Sequence, residues 1–253
     1  MMQRTFQRAA NITGRRNFSA AVLKERMESV IADRQKEVIA FRKEHADTVI
    51  GEITVSQVIG GMRGIPGMLY ETSKLDPMEG IAYRGTKLFD IRDKAPRTVE
   101  GGEPIPEGIL WLLLTGEFPS DSEIKDFKEE LFKRGELTAD EEATIKALPK
   151  DMHAMTQFSM GVLACQPRSN FMAAYQGGVH KTKYWEATFE DCLDVCAKVS
   201  RIAALIYQNK YGDVATMADR DGSLDYSANF ANQLGFTDQQ FWELMRLYLT
   251  IHA

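Results

Sequence analysis

The chain has 253 residues, 44% of them hydrophobic and 26% charged, with a formal net charge of -5. That length buries a real core in one large domain or two small ones. The acidic balance argues against nucleic acid as a partner, and no apolar run is long enough to cross a bilayer.

The charge is unevenly placed. Residues 1–18 hold Arg4, Arg8, Arg15 and Arg16 and no acid, and without them -5 becomes -9. An arginine-bearing, acid-free start with Ser, Thr and Gln reads as a mitochondrial transit peptide. Arg16-Asn17-Phe18-Ser19 has the look of a matrix-protease cleavage site, placing the mature start near Ser19. A basic tail with no targeting role is the alternative.

A helix follows, with Leu23, Met27, Val30, Val38 and Phe41 on one face and an end near His45. Residues 48–85 change character. Thr48 to Val55 is rich in β-branched residues around Gly51, and Gly60, Gly61, Gly64, Pro66 and Gly67 follow. With Met68–Glu71 and Ile81–Gly85 this predicts short strands and turns, a small hairpin region in a chain otherwise without sheet.

From about 104 the pattern is helix after helix. Pro106 opens and Gly116 closes a helix apolar on every side, which predicts burial. Ser120 with Glu123, and Thr138 with Glu141, form capping boxes; the first of these helices ends at Gly135. Further helices are predicted over 152–165, 170–177, 184–211, 228–234 and 238–252, with loops at 93–104 and 211–225. The class is mainly α. The last helix carries a wide apolar face of Phe241, Leu244, Met245, Tyr248 and Leu249. It stops in mid-pattern, which suggests an incomplete chain.

No dinucleotide, phosphate-loop, zinc-protease or serine-elbow motif is present. His45, His153, His180 and His252 are far apart, and His153 and His180 read as structural or surface residues. Cys192 and Cys196 are four apart and share a helix face, but two thiols make a poor zinc site. With Cys165 they read as buried structural thiols. Trp111, Trp185 and Trp242 read as core or subunit-interface residues.

Six stretches, in order, resemble eukaryotic citrate synthase. They are Gly60-Gly61-Met62-Arg63-Gly64 leading into Gly67–Pro77; Glu79-Gly80-Ile81 with Tyr83-Arg84-Gly85; Gly101–Pro104 running into Pro106-Glu107-Gly108; Trp111-Leu112-Leu113 with Thr115-Gly116; His180–Glu186; and Glu243–His252. The resemblance runs from about residue 19 to the end, and is to the mitochondrial type rather than the shorter bacterial one. It implies the citrate synthase fold, with residues 19–253 as the N-terminal part of the large helical domain and the small β region near 48–85. It also implies a homodimer in the mitochondrial matrix that condenses acetyl-CoA with oxaloacetate and water, giving citrate and CoA without a metal or prosthetic group. In that family an aspartate removes the methyl proton, one histidine stabilises the enol, a second assists attack on oxaloacetate, and arginines clamp its carboxylates. A methyl proton is weakly acidic, so base and enol stabiliser must act together away from water. The resemblance places all of these groups after Ala253, so the chain alone is expected to be inactive.

Three residues of this chain carry expectations. Arg63 matches an arginine that contacts CoA phosphate, a task for which its planar fork is suited; a solvated turn arginine is the plainer reading. Lys181 stands where the family often has a CoA-holding arginine, and lysine would keep the charge but lose the fork. His252 ends the helix that leads toward the oxaloacetate pocket, and reads as a positioning or core residue more readily than as a substrate ligand. Two alternatives stay open: a methylcitrate synthase using propionyl-CoA, or a truncated non-catalytic paralog acting as a binding or structural subunit.

Overall fold

The computed structural model describes residues 18–68 and 72–253, with side chains from residue 21 onward. The expected transit peptide and the Leu69–Glu71 part of the expected strand region lie outside the described residues. The chain forms two compact units. One takes residues up to Lys94 together with Leu110–Phe118, and the other takes Ala95–Ile109 and Pro119–Ala253.

In the first unit α1 spans Phe18–His45. Its first half is held: Leu23 is fully buried, and Arg26 pairs with Glu117 at 2.6 Å. Val38 and Phe41, expected on the apolar face of this helix, are 63% and 50% exposed. Helical spacing puts them on one side of α1, yet no described element covers that side.

The β-branched run does not form a strand. Thr54 instead caps a short helix α2, Val55–Ile59, in a reciprocal box with Gln57. The hydroxyl accepts the Gln57 N–H while the Gln57 side chain accepts the Thr54 N–H, so two orphan donors are satisfied locally. The sheet starts later, with β1 (Ser73–Asp76), β2 (Gly80–Tyr83) and β3 (Thr86–Lys87) in antiparallel order. Ser73 faces Tyr83 and Asp76 faces Gly80. Asp76 Oδ1 accepts the Met78 and Glu79 N–H groups at 2.8 and 3.0 Å and shapes the first turn. The second turn places Arg84 at φ 50° and Gly85 at φ 80°, the twist a two-residue hairpin needs. Arg84 then donates to the carbonyls of Leu113 and Leu114 at 2.8 and 3.2 Å, capping the end of α4 (Pro106–Thr115). A further short helix, α3 (Leu88–Lys94), buries Ile91. The burial expected of α4 holds for Ile109, Trp111 and Leu112.

The second unit is helical. It contains α5 (Asp121–Arg134), α6 (Ala139–Lys146), α7 (Ala154–Ala164), α8 (Asn170–Gln176), α9 (Tyr184–Tyr211), α10 (Tyr226–Leu234) and α11 (Gln239–Ile251). Both predicted capping boxes are present, at Ser120 and Thr138. The long α9 is the organising element: α5, α6, α7, α8 and α10 all pack on it. Ile145, Ile202, Leu205 and Ile206 form a core, with Phe158 and Val162 packed against it. α7 approaches α9 closely because Gly161 faces Ile202; a Cβ there would sit 2.6 Å from Ile202 Cγ2.

Candidate functional site

Arg63 lies in the first unit, in the loop that leaves α2. Gly61, Met62 and Gly64 have φ of 79°, 65° and 70°, and only glycine adopts such backbone without strain. Gln57 ties the loop down: its carbonyl accepts the Met62 N–H at 2.8 Å and its amide donates to the Gly64 carbonyl at 3.2 Å. The tight turn leaves the Arg63 side chain exposed.

Lys181 and His252 belong to the second unit. Lys181 opens a 3₁₀ turn, Lys181–Lys183, whose start is capped by His180. The His180 ring lies 2.9 Å from the Thr182 hydroxyl and accepts the Thr182 N–H, which makes it a structural cap. Lys181 itself is exposed. His153 likewise caps α7 by accepting the Met155 N–H at 3.2 Å. His252 closes α11, with Nδ1 2.9 Å from the Tyr248 carbonyl and its ring stacked on Tyr248 at 4.2 Å. A ring held this way is positioned by its own helix, and its far edge is exposed.

What fixes α11 is a buried ionic network that sequence reading missed. Arg246 is 5% exposed and Asp225 is 2% exposed. The guanidinium meets Asp225 Oδ2 at 2.5 and 3.2 Å and Glu243 Oε1 at 2.7 Å. Glu243 Oε2 accepts the Glu103 N–H at 2.7 Å, and Thr250 donates to the Pro104 carbonyl at 3.2 Å. Asp225 Oδ1 also caps α10 through the Ser227 and Ala228 N–H groups. Beside them Glu107 accepts the Tyr226 N–H at 2.8 Å. Burial, and then the Asp225 charge, push the Glu107 carboxyl up to about 7. One signal was available in the sequence, the Glu243/Arg246 pair three residues apart on one helix face.

The thiols need correction: Cys165, Cys192 and Cys196 are free and only partly buried. Among the described residues no group of three or more His, Cys, Asp or Glu side chains could hold a metal ion. No described helix is long and apolar enough to cross a membrane.

A family model described as the citrate synthase C-terminal domain matches residues 61–253. The chain belongs to the citrate synthase family. It is 45% identical over 231 residues to citrate synthase 4, mitochondrial, from Arabidopsis thaliana, covering 91% of this chain and 48% of that protein. The chain thus spans about half the length of that curated relative. The Pyrobaculum aerophilum citrate synthase structure matches with a TM-score of 0.65 at 22% identity, over 81% of this chain and 50% of that one. A Thermoplasma acidophilum citrate synthase, solved as a ternary complex with carboxymethyl coenzyme A and oxaloacetate, matches with a TM-score of 0.54 at 19% identity, over 77% of this chain and 46% of that one. At these identities the two structures establish a shared fold. Of the family's expected contacts, Arg63 sits on one unit and Lys181 and His252 on the other.

Proposed function

We propose that the protein carrying this chain is a citrate synthase, condensing acetyl-CoA with oxaloacetate and water to give citrate and CoA. The observation that carries the reading is the family match over residues 61–253, supported by 45% identity to a plant mitochondrial enzyme. Because the relatives are citrate synthases, acetyl-CoA is the proposed acyl donor rather than propionyl-CoA. The protein works as a homodimer in the mitochondrial matrix, with residues 1–18 as its targeting segment.

In this reading Arg63 holds a CoA phosphate. Its loop supports the role: positive-φ glycines let backbone approach a ligand, and the exposed guanidinium offers a fork for phosphate oxygens. Lys181 adds a point charge for CoA without that fork. His252 shapes the edge of the oxaloacetate pocket from the end of α11. Proton abstraction and enol stabilisation belong to residues outside this chain, and the chemistry needs no metal or prosthetic group.

Two experiments test the proposal. The 253-residue chain alone should release no CoA in the presence of both substrates, whereas the full-length protein should. Release by the short chain that requires both oxaloacetate and acetyl-CoA would place the catalytic groups within it. In the full-length enzyme Arg63→Ala should raise the acetyl-CoA KM by on the order of tenfold, the worth of one charged hydrogen bond, and leave the oxaloacetate KM within about twofold. Equal changes for both substrates would count against a CoA-specific role.

A further inference from the structure

We propose that the small cavity between α4, α5, α9 and α10 binds one internal water molecule, which joins Glu107 Oε2 on α4 to the Gln233 Nε2 amide on α10. The site is independent of the condensation reaction. All of the residues that line it lie in the second unit. Its volume is about 20 Å³. A cavity needs about 10–15 Å³ to hold one water, so this one suits a single water and excludes any larger guest.

Glu107 and Gln233 both line the cavity, and each brings a buried polar atom with no hydrogen-bond partner in the protein, Glu107 Oε2 and Gln233 Nε2. Glu107 is 3% exposed and Gln233 2%. Leaving such atoms unpaired costs their full desolvation, and native interiors pair nearly all of them with protein or ordered water. The two are complementary, an amide donor and a carboxyl oxygen, and they do not meet directly. The neighbours are already engaged. The Asn229 amide donates to the Asp221 and Leu224 carbonyls, and its oxygen accepts the Asp221 N–H. Arg220 donates to Glu136 and to the Phe132 carbonyl. The Tyr226 hydroxyl donates to the Cys196 carbonyl at 2.8 Å, which leaves its oxygen able to accept.

The shape of α10 accounts for the gap. Tyr226 and Gln233 are seven apart on this helix and so share one face. The Tyr226 N–H is held by Glu107 Oε1 at 2.8 Å. Seven residues rise about 10 Å, and a helical side chain leans back toward the N-terminus, which lets the Gln233 amide recover about 5 Å of that rise. The remaining distance, about 5 Å, is too long for a direct bond and matches two bonds of about 2.8 Å meeting at one water. Glu107 thereby holds both ends of α10, the first turn directly and the last through the water. A water also suits both protonation states of this carboxyl, which burial and the Asp225 charge push up to about 7 against the opposing charge of Lys128. It donates to the ionised Oε2, and it accepts from the protonated one while turning a hydrogen to the Tyr226 oxygen.

Crystals of the full-length protein that resolve ordered solvent test the site. The expected result is one isolated peak within about 2.7–3.2 Å of both Glu107 Oε2 and Gln233 Nε2. Gln233→Met keeps the length of the side chain and removes its amide, so the peak should disappear. That variant strands Glu107 Oε2 and threatens folding. A second measurement therefore uses the wild-type protein in solution: magnetisation transfer from a long-lived water to the Gln233 side-chain amide protons, which should be observed. A dry cavity, a peak bonded to only one of the two groups, or a peak unchanged in Gln233→Met would each overturn the proposal. So would a direct Glu107–Gln233 bond, the Lys128 ammonium found in the cavity, or Gln233 amide protons that receive no transfer from water.

Discussion

Glu107→Gln separates the charge of Glu107 from its shape. The residue is 3% exposed, its Oε1 accepts the Tyr226 N–H at 2.8 Å, and its Oε2 is buried without a hydrogen-bond partner. Burial raises its pKa most, Asp225 adds to the rise, and the Tyr226 N–H only partly offsets them, leaving the folded value at about 7 against an ordinary 4.5. Between those values the folded state binds more protons than the unfolded state, so stability falls as pH rises. The contribution is fully present below pH 4.5 and is lost as pH climbs through 7. At about 1.4 kcal/mol per pH unit that gap amounts to roughly 3 kcal/mol. Glutamine does not titrate and keeps an acceptor for the Tyr226 N–H. Urea unfolding of both proteins from pH 4.5 to 8 reads the difference directly, because all other titrations cancel between them. The variant should match the wild type near pH 4.5 and gain on it steadily, reaching roughly 3 kcal/mol more stable by pH 8. A difference that stays constant across that range would show that Glu107 does not carry a proton in the folded protein.

Other perturbations test the frame around this group. Arg246→Met strands the Asp225 carboxylate in a buried site, and should cost about 3–5 kcal/mol of unfolding free energy. Adding Asp225→Asn should recover part of that loss, and a double variant as unstable as the sum of the singles would deny the coupling. Gly161→Ala drives a Cβ to 2.6 Å from Ile202 Cγ2 and should cost about 1–3 kcal/mol by denaturation. Pairing it with Ile202→Val removes a methyl at the clash and should soften the loss; an unchanged stability for Gly161→Ala would mean that α7 and α9 are not packed this closely.

The parts of the fold that were legible in advance are those whose stabilising partners sit at fixed short offsets. Ser120 with Glu123 and Thr138 with Glu141 satisfy their helix starts within one turn, and both helices begin where those residues place them. α9 was read as 184–211 and is observed at Tyr184–Tyr211, although no side chain caps its start, so reading from local offsets did not set its bounds. The failure at residues 48–55 is instructive. The β-branched composition suggested a strand, while Thr54 and Gln57, another pair at the capping-box spacing, began a helix of five residues. So short a helix shows no period to detect, and one reciprocal cap outweighed the propensity of the run before it. α1 shows the opposite limit. Its apolar spacing gave the helix correctly, but spacing says only which residues share a face, and Val38 and Phe41 remain exposed.

The same distinction separates the proposed contact residues from the buried charged groups. Arg63, Lys181 and His252 were marked by resemblance, and in the structure each stands exposed on a locally made support: a glycine turn tied by Gln57, a 3₁₀ turn capped by His180, and a helix end with a ring stacked on Tyr248. Such supports are built from neighbours in sequence, so a short motif carries them whole. The buried charged groups are assembled otherwise. Glu107 meets Tyr226 across 119 positions, Lys198 meets Glu141 across 57, and Arg246 meets Asp225 across 21. No spacing rule reaches so far, because these pairs are made by the packing of α9, α10 and α11 rather than by any one element. A short motif therefore marks the proposed contact residues, whose supports are local. The buried charges that hold α10 and α11 in place become visible only after the helices have been packed.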